Sequence, residues 1–122
     1  MTVLNTSKAQ QADEKMARRC YELRKGLFIS TIDSGKSWIE VERNNDLQTE
    51  RTEYDECTSR IHWKSDCSYE ITIQSITEGL SKDDVGKTFR VTIDKIDGDK
   101  YYYTFYDKNS VPGFSGYMKK LR

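Results

Sequence analysis

Proline occurs once in this 122-residue chain, histidine once, and no apolar stretch runs for more than a few positions. Each shortage excludes something. No segment approaches the roughly twenty apolar residues that a membrane-spanning helix needs. Lys and Arg number twenty, as do Asp and Glu, so there is no excess charge to draw the chain to nucleic acid or anionic lipid. Nucleic acid is therefore not an expected partner. Low-complexity tracts and internal repeats are missing too, and eight Tyr, four Phe and two Trp are too many core-forming groups for a disordered chain. Three cysteines stand with no C-x-x-C pair, and His62 alone cannot complete a structural zinc site with them. These residues call for no metal and no cofactor.

What is present is about one domain's length, enough to bury roughly two thirds of the unfolded surface. Residues 1–7 read as a polar tail. Ser7-Lys8-Ala9 before Gln10 puts small residues where signal peptidase requires them, so a trimmed export signal and a plain tail both fit. The compartment decides the cysteines. In the periplasm or cell envelope, the expected location, one disulfide and one leftover thiol follow, with Cys20 and Cys67 the preferred pair because both are expected to face the core. In the cytoplasm, the alternative, all three are simply small side chains. A monomer is expected.

From Thr6 or Ser7 as N-cap, Ala9, Ala12, Met16, Cys20 and Leu23 recur at steps of three and four, one stripe of a helix. Asp13 and Glu14 lie toward its start, Arg24 and Lys25 at its end, and Gly26 follows as a stop. The helix is read as residues 8–25, packed on a sheet or across the end of a barrel. After Gly26 the period changes to two, broken by turn residues every 8 to 12 positions, roughly the spacing of an all-β sandwich or barrel. Eight strands are expected over 27–32, 37–43, 47–54, 58–64, 67–76, 88–96, 100–106 and 114–121, making 27–121 the β-barrel of a single domain that spans 1–122. The turns carry Asp33-Ser34-Gly35, Asn44-Asn45-Asp46, Ser65-Asp66, Asp97-Gly98 and Val111-Pro112-Gly113. One longer linker, 77–87, has room for a helical turn at 81–85.

Cys67, Tyr69, Ile71 and Ile73 alternate with polar residues, as do Phe89, Val91 and Ile93, so those strands have one wet face. A three-residue turn over Lys64–Asp66 puts Ile61 and Trp63 on the face of Cys67 and Tyr69. Residues 100–106 carry aromatics on both faces, which leaves the inward face open. Residues 47–54 are polar on both faces, as at a sheet edge or beside a hydrated cavity.

Few residues combine into chemistry. Asp97-Gly98-Asp99 lacks the acids that a calcium loop needs ahead of it, where Lys95 and Ile93 stand, and a type I′ hairpin turn explains it better. His62 could act as base to Cys57 or Cys67, but alternation with Ile61 and Trp63 points it outward. Glu53, Asp55 and Glu56 bunch at a polar loop tip where nothing raises a carboxyl pKa. No catalytic residue is assigned and an enzyme is not expected. The run Tyr101 to Tyr106 could stack bases only with basic flanks, and its lysines are interleaved with Asp97, Asp99 and Asp107. Packing in the barrel wall is the preferred reading. Arg43 is the most informative polar residue, because it continues the inward phase of Ile39 and Val41. A buried guanidinium needs partners: Gln48 or Glu50 across the turn, the acidic head of a ligand, or solvent at the strand end.

Several short patterns resemble a group of small uncharacterised exported or lipid-anchored proteins of Bacteroidetes-type bacteria: Cys20 with Gly26 and Phe28, Val41 to Arg43 with Asn45-Asp46 and Gln48 to Glu50, Trp63 with Ser65-Asp66-Cys67 and Tyr69, and Gly86-Lys87 leading into Val91. That resemblance implies an envelope location and two matched cysteines. A helix followed by about eight up-and-down strands is also similar to the calycin superfamily, lipocalins and fatty-acid-binding proteins among them. Gly26-Leu27-Phe28 resembles the Gly-x-Trp that opens a lipocalin barrel, with Phe in place of Trp. The Arg-x-Tyr carboxylate site of fatty-acid-binding proteins is not matched, since Val91 and Thr92 follow Arg90. The expected fold is accordingly a calycin or lipocalin-like antiparallel up-and-down barrel of about eight strands with one N-terminal helix, with a β-sandwich or OB-type barrel as runner-up. The expected function is non-catalytic binding of a small, partly apolar ligand, hydrophobic or amphipathic. Arg43 and Gln48 would orient its polar group, and Trp63, Tyr69, Tyr101 and Tyr103 would supply contact area. The alternative is an envelope interaction or structural module with a filled barrel, using exposed aromatics such as Trp38 and Tyr102.

Overall fold

The computed structural model describes residues 8–32, 37–53, 55–77, 82–107 and 109–122. The helical stripe forms α1, Lys8–Tyr21, and then tightens into a 3-10 turn over Glu22–Arg24. The helix expected to reach residue 25 ends at 21, and Lys25 is already extended, at φ −133 and ψ 148. Donors from the barrel take the carbonyls of the 3-10 turn, which a continuing helix would have used itself. Lys120 Nζ donates to Glu22 O at 2.8 Å, Arg43 Nη1 to Leu23 O at 2.9 Å and Asn45 N to Arg24 O at 2.8 Å. The barrel end caps the helix, and two of the three donors bring the positive charge that a helix C-terminus favours.

Eight strands follow: β1 Lys25–Ile32, β2 Ser37–Asn44, β3 Leu47–Arg51, β4 Glu56–Ser65, β5 Ser68–Ile76, β6 Thr88–Asp97, β7 Lys100–Tyr106 and β8 Pro112–Lys120. Each pairs antiparallel with the next, and β8 returns to β1, so the sheet is a closed up-and-down barrel rather than a sandwich or an OB-type barrel. Closure removes both edges. The polar strand β3, open to an edge reading from its sequence, is therefore paired on both sides, with β2 and β4.

Gly26 makes the seam. It is not a helix stop but a β1 residue at φ +138, where an added Cβ would lie 2.5 Å from the Arg122 carbonyl oxygen. Beside it Leu27 N donates to Arg122 O, and Leu121 N to Leu27 O, each at 2.8 Å. A side chain here would combine a left-handed backbone with a clash against main chain.

The β4–β5 hairpin pairs Ser65 with Ser68 and Trp63 with Tyr69. The expected facing of Ile61 and Trp63 with Tyr69 holds, but by a different device: a bulge at Lys64 adds the extra residue that a three-residue turn would have supplied. At the β6–β7 turn Gly98 takes φ +63 while Asp99 stays negative, one left-handed residue rather than the two of type I′. In the β5–β6 linker a 3-10 turn occupies Lys82–Asp84. The proposed N-cap residues and the Asp33-Ser34-Gly35 turn lie outside the described residues.

The helix crosses one end of the barrel. Cys20 and Cys67 form a disulfide that ties α1 to the β4–β5 turn, and Arg19 Nη2 donates to Gly98 O at 2.8 Å. Along the helical stripe Cys20 and Leu23 are buried, Met16 is half-buried and Ala12 is exposed. Phe28, Val41, Ile61, Tyr69, Val91 and Tyr101 form the centre of the core.

Candidate functional site

Period-two alternation on β2 carries Arg43 inward with Ile39 and Val41, and it ends 2% exposed. The side chain is met on every side by the protein's own acceptors. Nε and Nη2 both donate to Gln48 Oε1, at 3.1 and 2.8 Å, and Nη2 also donates to the hydroxyls of Tyr69 and Tyr101, at 3.2 and 3.0 Å. With the bond to Leu23 O, these link β2, β3, β5, β7 and the helical turn through one guanidinium. Phe28 and Tyr69 offer ring faces 4.8 and 5.0 Å away, which favours a desolvated cation. Burial works against the charge, but the Tyr101 and Tyr69 hydroxyls and the Glu50 carboxylate outweigh it and raise the Arg43 pKa. Of the partners named from the sequence, Gln48 makes the bridge directly.

Glu50 is reached only through Gln48, whose Nε2 donates to Glu50 Oε1 at 2.8 Å. The acid and the guanidinium are thus linked by an amide rather than paired. Burial raises the Glu50 pKa, against the Gln48 hydrogen bond and the Arg43 charge. Among the described residues Oε2 accepts no hydrogen bond.

On the far side of Gln48 from Arg43 the barrel is hollow. A cavity of about 240 Å³ is walled by the apolar side chains of Ile39, Val41, Ile71, Val91, Phe105 and Met118. Its polar lining is Ser30, Gln48, Glu50, Tyr69 and Tyr103. Ser30 Oγ and the Tyr103 hydroxyl lie 3.4 Å apart, and burial raises the pKa of Tyr103, as it does more strongly for Tyr69. An eight-stranded barrel can be filled by side chains or hold one small guest. Scaled from the roughly 150 Å³ cavity that accepts benzene, this one has room for about ten non-hydrogen atoms.

The six residues singled out from the sequence thus divide. Gln48, Tyr69 and Tyr103 line the cavity. Arg43 and Tyr101 stand behind it in the buried knot, where the Tyr101 hydroxyl donates to Met118 Sδ at 2.7 Å. Trp63 is elsewhere: its Nε1 donates to Asn45 O at 3.0 Å, and Arg24 stacks on its ring at 4.8 Å, near the helix. Glu50, Ser30 and the aliphatic wall were not singled out as site residues. The signal for Glu50 was the two-faced polarity of β3, which fits a strand beside a hydrated cavity.

Of the other candidates, His62 is exposed on the outer face. Cys57 is the free thiol, half-buried opposite Glu50 in the β3–β4 ladder, with its pKa raised first by burial and then by the Glu50 charge. Within β7, Tyr101 and Tyr103 turn inward while Tyr102 is 37% exposed and stacks on Tyr117 at 5.9 Å. Trp38 is 57% exposed. Among the described residues no cluster of His, Cys, Asp or Glu could hold a metal ion, and no helix is long and apolar enough to cross a membrane.

Comparison with protein-family models, with curated proteins and with solved structures returns no match to this chain.

Proposed function

We propose that the protein holds a small, partly apolar molecule inside the barrel and does not transform it. The observation that carries this reading is the hollow itself, about 240 Å³ with an apolar wall and a few convergent polar groups, the composition typical of ligand pockets. Arg43 supports the site from behind instead of gripping an acidic head, because its donors are taken up by Gln48, Leu23, Tyr69 and Tyr101. The setting we favour is periplasmic or cell-envelope. The Cys20–Cys67 disulfide supports it, since such bonds persist in oxidising compartments.

Calorimetric titration with n-octanol tests the reading, since that molecule fits the volume and carries one hydroxyl. Saturable one-site binding is expected, worth about 5 kcal/mol and so a dissociation constant on the order of 0.2 mM. Val91→Trp, which places an indole in the hollow, should abolish it while circular dichroism shows the barrel intact. Binding that never saturates, or that survives in the blocked and folded variant, would overturn the proposal.

A further inference from the structure

The cavity's polar lining has a sign. Among the described residues, an anionic guest would meet the one acid in the lining, Glu50, while the one buried cation, Arg43, turns its donors to Leu23, Gln48, Tyr69 and Tyr101. A cationic guest meets the reverse. Glu50 Oε1 is held by Gln48 Nε2 at 2.8 Å, which fixes the carboxyl and leaves Oε2 free to accept. The Tyr103 hydroxyl and Ser30 Oγ also line the hollow. Three of the lining side chains, Tyr69, Tyr103 and Phe105, are aromatic, and ring faces attract ammonium groups out of water. Apolar walls cover the rest, and the volume admits about ten non-hydrogen atoms.

From this arrangement we infer that the barrel selects small amphiphilic amines, with the ammonium group on Glu50 Oε2 and the hydrocarbon part against Val41, Ile71, Val91 and Met118. The inference rests on the cavity-binding reading above and names the class of guest. Arg43 serves it indirectly, by orienting Gln48 and, through it, the carboxyl.

Three probes of one length separate the two claims: n-octylamine, n-octanol and n-octanoate, titrated calorimetrically at pH 8. The amine should bind at least tenfold tighter than the alcohol, and octanoate at least tenfold weaker. In Glu50→Gln the ratio of amine to alcohol affinity should fall to near one. As a second measurement on the unaltered protein, the same ratio should fall as pH is lowered and Glu50 takes up a proton. The other titratable groups facing it do not change in that range. Arg43 from β2 stays charged, and Cys57 from β4, Tyr69 from β5 and Tyr103 from β7 stay protonated because burial raises their pKa values. If the alcohol binds and the amine gains nothing over it, the amine inference falls and cavity binding stands. If the preference survives in Glu50→Gln, the carboxyl is not its source and the inference falls likewise. If no probe binds, both readings fall together.

Discussion

Replacing Arg43 by Met tests whether the guanidinium holds the barrel's closed end together. The thioether chain can follow the path of the arginine's methylenes, so packing changes little, but Gln48 Oε1 and Leu23 O lose their donors. A buried acceptor left without a partner costs about 1–3 kcal/mol, which for these two gives about 2–6 kcal/mol. The opposing effect is release from the desolvation of a buried cation, which alone is worth several kcal/mol. Here the tyrosine hydroxyls, the ring faces and Glu50 already offset much of that desolvation, so the orphaned acceptors dominate. We expect a net loss of about 3 kcal/mol, at the lower end of what removing one partner of a buried charged network costs. With a urea slope of about 1.5–2 kcal/mol/M, the unfolding midpoint should fall by about 1.5–2 M, read by circular dichroism. Adding Gln48→Leu together with Glu50→Leu removes the main orphan along with the carboxyl that Gln48 Nε2 holds, and should restore at least half of the loss. A single variant within about 0.5 kcal/mol of the unaltered protein, or a triple variant that is worse than the single, would refute the reasoning.

The disulfide closes a sequence separation of 47, for which chain-entropy arguments give about 4 kcal/mol. Cys20→Ala with Cys67→Ala should lower the urea midpoint accordingly and free the N-terminal half of α1 for hydrogen exchange first; an unchanged midpoint would show that the helix is held by its other contacts. Glu50 makes stability depend on pH in the sense opposite to most carboxylates. Its pKa is raised in the folded state, so the unfolded chain releases the proton first and stability falls as pH rises from about 4 through the folded-state pKa. Glu50→Gln should therefore match the unaltered protein in acid and gain on it as pH rises, levelling off once Glu50 is ionised in the folded state. A difference between the two that does not vary with pH would contradict the burial of this carboxyl.

Strand periodicity made the fold legible because the barrel is built from consecutive hairpins, so neighbours in sequence are neighbours in space. The strand bounds for residues 37–44, 88–97 and 100–106 differ from expectation by no more than a residue at either end. Where the reading went astray, a distant contact decided the local structure. Gly26 has the signature of a helix stop, yet the Arg122 carbonyl pressed against it, nearly a hundred residues away, is what requires a glycine there. The helical pattern does not run on to Lys25 because the carbonyls of Glu22, Leu23 and Arg24 find donors on Lys120, Arg43 and Asn45, and a one-dimensional pattern shows none of them. In β7, with aromatics on both faces, only closure decides that Tyr101 and Tyr103 go inward and Tyr102 outward.

The same limit explains the site. Phase places Arg43 inside the barrel with Gln48 or Glu50 across the turn as its partner, but phase does not say how far apart along the axis these side chains finish, nor which of them lines the hollow. Size settles that. Around Arg43 the barrel is filled by Phe28, Tyr69 and Tyr101, large rings that reach the guanidinium, whereas Ser30, Val41 and Val91 on the same strands or their neighbours are too short to meet across the interior, and the hollow opens there. A single barrel therefore has a solid half, built around the Arg43 hydrogen-bond network, and a hollow half lined by Glu50 at the other end of that network. With the two sets of residues exchanged, the hollow would open beside the arginine, and the preference we infer for amines would turn into one for anions.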